Sequence, residues 1–281
     1  MKYLKAELTH REILTPNLGI FRFRPEKRID YLAGQYVTFG IRRAGLQGKA
    51  IKVEDGRGTV LRPYSLASAP FEDELELYVA WVRKDGRRED QQGQLSTELF
   101  NPAPDAEYLL LEKARGSFLP TPDTRDLVMV ATGTGLAPFI SMLKVFRKEG
   151  SRRRFFLIHG VSRSSDLAYR GIIAELSRDL DIKYRFTLSR EEAPGKSKDY
   201  AEELFMQRSS KGRVSVEEAQ KAAAQDVSSR LPIEDELGHP LRGSESVLML
   251  CGNPAMIENI KAIAAARGFQ PKQDIISEEY W

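Results

Sequence analysis

Residues 127–137 read Leu-Val-Met-Val-Ala-Thr-Gly-Thr-Gly-Leu-Ala, and Pro138 follows them. The first five are apolar, as in a strand that is buried on both faces of a parallel sheet. Gly133 and Gly135 then form a turn, and Pro138 suits the first turn of a helix, where its missing N–H is not needed. A strand, a glycine turn and a helix in this order can bind a pyrophosphate. An ordinary tight turn is the alternative, because the spacing departs from G-x-G-x-x-G.

A second glycine turn, Cys251-Gly252-Asn253-Pro254, also follows an apolar strand and precedes a helical segment. Ligands of open parallel sheets bind beyond the carboxyl ends of the strands, so we expect both turns to face one crevice. Cys251 is either an inert core residue or part of the lining of that site.

Strands alternate with helices from residue 121 onward, which predicts an α/β domain with a parallel, Rossmann-like sheet. The predicted strands cover residues 127–131, 154–158, 182–188 and 246–251, and the predicted helices cover 138–149, 169–179 and 254–267. Before residue 120 the pattern is one of short alternating segments, which predicts an antiparallel β-barrel or sandwich. Its predicted strands cover 5–14, 19–24, 35–41, 61–66, 75–82 and 107–112, with one short helix at 95–100. We therefore expect two domains, residues 1–120 and 121–281.

Composition narrows the chemistry. The 281 residues include one cysteine and three histidines, which excludes an internal disulfide and a cysteine-ligated cluster and predicts no metal site. Redox chemistry would then need an organic cofactor. The net charge of +3 does not indicate a nucleic-acid partner. The charged N-terminus and the lack of an apolar run of about 20 residues predict a cytoplasmic protein without a membrane span.

Positive charge is concentrated between Arg22 and Arg62, where ten basic and four acidic residues leave +6. A second basic cluster lies at residues 83–88. Such stretches are either solvated surface or a docking face for an acidic partner.

Arg62-Pro63-Tyr64-Ser65 combines three residue types that suit a flavin. Arginine can fork to a phosphate, tyrosine can stack on a flat ring, and serine can bond to a ring edge. Arg62 and Tyr64 lie two positions apart, so their side chains leave one face of a strand.

Together these motifs resemble the ferredoxin–NADP reductase family, in particular its bacterial ferredoxin/flavodoxin reductase branch, over nearly the whole chain. The resemblance implies that Arg62 binds the flavin pyrophosphate, Tyr64 stacks on the isoalloxazine and Ser65 lies near flavin N5. The further flavin-side residues that it implies are Pro63, Tyr78, Val79, Ala80, Gly93, Gln94, Leu95, Ser96, Thr97, Thr134 and Trp281.

For the dinucleotide, the resemblance implies binding by Thr132, Gly133, Thr134, Gly135, Cys251, Gly252 and Asn253. Arg163, Arg190 and Arg213 match the arginines that recognise a 2′-phosphate, which favours NADP over NAD. Ser65, Cys251 and Tyr280 are the expected catalytic residues, and Tyr280-Trp281 matches an aromatic tail that covers the flavin. The chain departs from the family in residues 45–58 and 192–244, which are longer than expected, and in Glu278-Glu279 ahead of the tail.

The activity that the resemblance implies is electron transfer between NADP(H) and ferredoxin or flavodoxin, by hydride transfer to flavin N5 and then one-electron steps. FAD is the expected flavin, with FMN as the alternative. Two other functions remain open: an NAD(P)H-dependent reductase of an oxygenase or of free flavin, and a regulatory subunit that senses flavin or dinucleotide without catalysis.

Overall fold

The computed structural model describes residues 3–43, 58–81, 93–191, 201–205 and 230–279. The chain separates into two compact units. The first comprises Met1–Leu119 and Ala137–Val145, and the second comprises Pro120–Leu136 and Phe146–Trp281. Residues Ala137–Val145 thus group with the first unit although they follow residue 120 in the chain. The domains 1–120 and 121–281 stay a prediction.

The first unit contains a six-stranded antiparallel sheet. Its strands in chain order are β1 (Tyr3–Thr15), β2 (Leu18–Pro25), β3 (Tyr36–Arg43), β4 (Gly58–Ser65), β5 (Leu75–Ala80) and β6 (Glu107–Leu111), and α1 (Gln94–Phe100) precedes β6. The spatial order is β4-β3-β6-β1-β2-β5. A bridge between Leu66 and Leu77 joins the chain just after β4 to β5, so the two ends of the sheet meet. The predicted antiparallel barrel is confirmed.

Alternation along the strands explains the barrel. In β2, Phe21 and Phe23 are fully buried, whereas Arg22 and Arg24 are exposed. Side chains two residues apart leave the same face of a strand, so one face of β2 enters the core. Phe23 meets Phe39 of β3 there, with ring centroids 4.4 Å apart.

The second unit contains a five-stranded parallel sheet. Its strands are β7 (Asp126–Thr132), β8 (Arg154–Val161), β9 (Asp181–Leu188), β10 (Ser246–Gly252) and β11 (Ile275–Glu279), in the order β11-β10-β7-β8-β9. α2 (Ala137–Lys148) follows β7 in the chain, but most of it groups with the first unit. The other helices are α3 (Arg170–Leu176), α4 (Pro232–Leu237) and α5 (Pro254–Ala266). Single 3₁₀ turns cover Gly133–Leu136, Ser164–Asp166 and Ala201–Phe205. The predicted parallel α/β sheet is confirmed.

Three elements differ from the prediction. β11 and α4 were not predicted, and α3 spans Arg170–Leu176 rather than residues 169–179. Tyr169 has φ of +60°, which is left-handed, so the helix cannot include it. In the described part of the chain, we find no helix both long and apolar enough to cross a membrane.

Candidate functional site

The predicted flavin motif lies at the end of β4, the terminal strand in the order of the six-stranded sheet. Arg62 and Pro63 are exposed, Tyr64 is half-buried and Ser65 is buried. An outermost strand accommodates Pro63, which has no N–H to donate to a neighbour. Arg62 donates from Nη1 to the Leu61 carbonyl at 2.7 Å. The strand therefore carries Arg62 to the surface, while Tyr64 and Ser65 lie against the barrel.

Tyr64 packs against the barrel core. Its ring meets Phe39 edge to face, with centroids 6.4 Å apart and planes at 82°. Burial raises the pKa of the Tyr64 phenol, while the Arg62 charge acts in the opposite direction. The phenol therefore stays protonated at neutral pH. A ring fixed by core packing is a suitable platform for a planar ligand, because little rotamer freedom is left to lose on binding.

Strand β5 carries three more of the implied flavin-side residues. Tyr78 and Val79 are buried, and Ala80 is exposed where it pairs with Leu18 of β2. Val79 belongs to the barrel core. β5 is buried along its length up to Val79, so burial does not alternate here, and a role in flavin binding stays a prediction.

The segment Gly93–Thr97 forms the start of α1. The Gly93 carbonyl accepts from Thr97 N at 2.8 Å and from Ser96 Oγ at 2.9 Å. Trp81 Nε1 donates to Thr97 Oγ1 at 3.0 Å, so the barrel fixes this hydroxyl in place. Gln94 and Leu95 are the first two residues of the helix. The structure thus builds the predicted turn and short helix.

In the second unit, the two glycine turns lie side by side. β7 and β10 are neighbours, with Cys251 opposite Ala131 in parallel register. Thr132 Oγ1 accepts from Asn253 N at 2.7 Å, which joins the residue after β10 to the last residue of β7. Asn253 also caps α5, because its Oδ1 accepts from Ala255 N at 2.9 Å. The structure therefore brings the predicted dinucleotide residues of both turns to one edge of the sheet.

None of the three glycines of these turns can be replaced without strain. A Cβ on Gly135 would lie 2.4 Å from the Cys251 carbonyl oxygen, and Gly252 has φ of +128°. Gly133 has φ of +54°, and nothing lies within 4 Å of where its Cβ would be. Gly133 and Thr134 are half-exposed, so the backbone of the turn is accessible, as binding of a phosphate at a glycine turn requires. Cys251 itself is fully buried.

His159 is a site residue that the sequence did not single out. It is fully buried on β8, and its Nε2 lies 3.0 Å from the Gly133 carbonyl oxygen. The ring must donate this hydrogen bond, because a carbonyl oxygen only accepts. Nδ1 has no hydrogen-bond partner within the described residues. Burial lowers the pKa of His159 to about 4, although the bond to Gly133 acts in the opposite direction. His159 is therefore neutral at physiological pH, and its hydrogen bond to the Gly133 carbonyl fixes the glycine turn.

Two of the three predicted 2′-phosphate arginines meet at the same edge. Ser189 N donates to the Val161 carbonyl at 3.0 Å, and Arg190 N donates to the Ser162 carbonyl at 2.9 Å. These bonds extend the pairing of β8 with β9 past the strand ends. Arg163 and Arg190 are both exposed there. Arg213, Tyr280 and Trp281 lie outside the described residues, as do the basic cluster at 83–88 and most of the segments 45–58 and 192–244.

In the described part of the basic stretch from Arg22 to Arg62, the net charge of the sequence overstates the free positive charge, and docking of an acidic partner there stays a prediction. Six of its cations form ion pairs with carboxylates from elsewhere in the chain. The pairs are Arg22–Glu76, Arg24–Glu74, Lys27–Glu112, Arg28–Asp73, Arg42–Glu107 and Arg43–Glu98. The acids come from distant segments, which a charge count along the sequence cannot reveal.

No group of three or more metal-binding side chains occurs among the residues that the structure describes. Fold and site together define a dinucleotide-binding α/β unit joined in one chain to an antiparallel barrel. Residues 129–262 match the family model for the oxidoreductase NAD-binding domain.

Relatives match over most of the chain. It is 29% identical over 262 residues to a flavodoxin/ferredoxin–NADP reductase of Buchnera aphidicola (subspecies Baizongia pistaciae), covering 89% of this chain and 88% of that protein. The match to a Shigella flexneri protein of the same name is 26% over 237 residues, covering 82% and 77%. The electron transfer component of a 2-halobenzoate 1,2-dioxygenase of Burkholderia cepacia is 24% identical over 252 residues, covering 88% of this chain and 58% of that protein.

A solved ferredoxin–NADP reductase of Neisseria gonorrhoeae, with bound FAD and NADP, has the same fold. The TM-score is 0.68 at 24% identity, and the match covers 100% of this chain and 98% of that one. The chain is a flavoprotein oxidoreductase that resembles the flavodoxin/ferredoxin–NADP reductases over most of its length.

Proposed function

We propose that this chain transfers electrons between NADP(H) and ferredoxin or flavodoxin, with FAD as its bound flavin. The observation that carries the proposal is the meeting of both glycine turns and of two exposed arginines, Arg163 and Arg190, at one edge of the parallel sheet. Similarity to named flavodoxin/ferredoxin–NADP reductases over most of the chain supports it.

The residues fit both cofactors. The open backbone at Gly133 and Thr134, next to Gly252, suits the NADP pyrophosphate, and Arg163 and Arg190 suit its 2′-phosphate. Arg62 and Tyr64 would hold the flavin pyrophosphate and ring, and the Gly93–Thr97 turn would complete the phosphate site. When bound, FAD supplies the conversion between two-electron hydride transfer at N5 and one-electron steps.

The protein supplies orientation and shielding. Ser65 is buried beside Tyr64, and Cys251 is the last residue but one of β10, at the second dinucleotide turn. By the family resemblance, Ser65, Cys251 and Tyr280 are the proposed catalytic residues. His159 contributes indirectly, because it fixes the carbonyl of Gly133 and so the direction of the N–H groups that follow in the turn.

Ferredoxin or flavodoxin as the partner rests on the names of the relatives and not on a patch of free positive charge, since the cations of residues 22–43 are paired. Docking at a surface of paired charges predicts a weak salt dependence of the ferredoxin KM over the range from 50 to 200 mM, roughly below threefold.

Steady-state kinetics of the flavin-loaded chain test the proposal. We expect kcat/KM for NADPH to exceed that for NADH, and ferredoxin or flavodoxin to be reduced faster than free flavin. Arg163→Ala and Arg190→Ala should each raise the KM for NADPH about tenfold and leave the KM for NADH unchanged, as for the loss of one charge-assisted phosphate contact. Equal effects on NADPH and NADH would rule out the assignment of these arginines to a 2′-phosphate.

The second candidate, a reductase for an oxygenase, is favoured by the similarity to the dioxygenase electron transfer component. It predicts a preference for NADH and transfer to an oxygenase component instead of flavodoxin. A regulatory subunit without catalysis predicts that the bound flavin is not reduced by either dinucleotide.

A further inference from the structure

The edge beyond β8 and β9 contains a carboxylate in an unexpected place. Ser162–Ser164 and Ser189–Glu191 run side by side past the strand ends, joined by the bond from Arg190 N to the Ser162 carbonyl. Glu191 turns back across this pair of segments towards Ser164. Its carboxylate therefore joins the residue after Arg190 to the residue after Arg163, at the edge where a dinucleotide 2′-phosphate is proposed to bind.

Both oxygens of the Glu191 carboxylate are engaged. Oε2 accepts from the backbone N of Ser164 at 2.9 Å, and Oε1 accepts from Ser164 Oγ at 2.8 Å. The backbone hydrogen bond from Ser164, then its hydroxyl, and the charge of Arg163 lower the pKa of Glu191. The residue is thus ionised at neutral pH. A backbone N–H, a serine hydroxyl and a nearby guanidinium are also the groups that recognise a phosphate.

We propose that Glu191 is a specificity-determining residue that competes with the 2′-phosphate of NADP(H) for Ser164. A phosphate dianion can use Ser164 only if the carboxylate leaves, and the two anions repel each other while both are present. NAD(H) carries a 2′-hydroxyl there, which can donate to a carboxylate, as an acidic residue does in NAD-binding Rossmann folds. Glu191 therefore narrows the preference for NADP(H) that Arg163 and Arg190 create.

The proposal rests on the proposed function, because it requires the adenosine end of the dinucleotide to lie at this edge. The change that isolates the carboxylate charge is Glu191→Gln, which keeps the size of the side chain and one acceptor for Ser164. Glu175→Gln is the matched control. Glu175 is an exposed residue of α3 that pairs with Arg147 at 2.7 Å, so this variant changes the net charge of the same unit equally, away from Ser164.

The test compares adenosine 2′,5′-bisphosphate with 5′-AMP, because these two probes differ only in the 2′-phosphate. Calorimetry measures the binding of each probe to the flavin-loaded full chain. Glu191→Gln should tighten binding of the bisphosphate by about fivefold, the effect of one exposed charge at contact distance. Binding of 5′-AMP should stay the same or weaken. The ratio of kcat/KM for NADPH to that for NADH should rise by the same factor of about five, and Glu175→Gln should leave both measurements within twofold.

An unchanged or lower NADPH-to-NADH ratio in Glu191→Gln, with wild-type turnover of both dinucleotides, overturns the role of Glu191 and leaves the proposed function intact. A wild-type chain that binds neither probe and reduces no acceptor overturns the proposed function itself. A ratio that rises equally in both variants assigns the effect to net charge, and this also overturns the role of Glu191.

Discussion

Gly135→Ala is the substitution whose effect follows most directly from the structure. The new Cβ would lie 2.4 Å from the carbonyl oxygen of Cys251, 2.7 Å from its carbonyl carbon and 3.1 Å from Cα of Gly252. Ordinary contact begins near 3.4 Å, so the turn and β10 must separate by about 1 Å. β10 cannot yield easily, because it is paired with β7 on one side and β11 on the other. Overpacking of this kind costs about 1–3 kcal/mol, and we expect the upper end of that range.

Thermal unfolding and binding of NADP are the assays. A loss of about 3 kcal/mol lowers Tm by roughly 6–12 °C in a unit of this size, and a displaced turn should weaken NADP binding by at least about tenfold. Two alanine substitutions serve as controls, since nothing lies within 4 Å of a Cβ on either Gly133 or Gly171. Gly171→Ala lies in α3 and should not lower Tm, whereas Gly133→Ala should lose about 1–2 kcal/mol because φ is +54° there. If Gly135→Ala has the same Tm and the same NADP affinity as Gly171→Ala, the predicted clash with the Cys251 carbonyl does not occur.

Three other variants give distinct results. Burial lowers the pKa of His159 from 6.5 to about 4, so the unfolded chain takes up the proton at a higher pH than the folded chain. As pH falls from 7 to 4, the free energy of unfolding of the wild type should therefore drop by about 3 kcal/mol more than that of His159→Gln. Denaturant unfolding that gives parallel pH profiles for the two proteins would contradict this. At pH 7.5, His159→Phe should raise the Kd for NADP about tenfold, whereas His159→Gln keeps a donor for Gly133 and should stay within threefold by calorimetry. Tyr64→Ala should weaken flavin binding by at least about tenfold, since stacking on an aromatic ring contributes about 1–3 kcal/mol, and fluorescence titration with FAD that gives an unchanged Kd would exclude the stacking role.

Much of the fold could be predicted from local patterns. The six strands of the barrel and the four predicted strands of the α/β unit have alternation or continuous apolar runs, and each is present within a few residues of its predicted bounds. β11 was missed because its five residues include one serine and two glutamates, and its pairing with β10 supplies the stability that its sequence lacks. Tyr169 was assigned to a helix because propensity carries no information about its left-handed φ.

The site also has parts that could be predicted from the sequence and parts that could not. The glycine turns could be predicted because strand, turn and helix are contiguous in sequence, and parallel register then brings the turns together. His159 could not, because a histidine inside an apolar strand has no sequence signal that distinguishes a core residue from one that fixes a turn. Glu191 was hidden for a similar reason, since its partner Ser164 is 27 residues away. The pairing of cations in the basic stretch could not be predicted either, because their carboxylate partners are distant in sequence.

The central claim is that the chain carries a flavin that NADPH reduces. Its most direct test is the visible absorption spectrum of the purified chain, loaded with FAD and kept free of oxygen, before and after one equivalent of NADPH. We expect a bound flavin whose absorption near 450 nm falls on addition of NADPH. The absorption should return when oxidised ferredoxin or flavodoxin is added. A chain that does not retain FAD, or whose bound FAD stays oxidised with both NADPH and NADH, would contradict it.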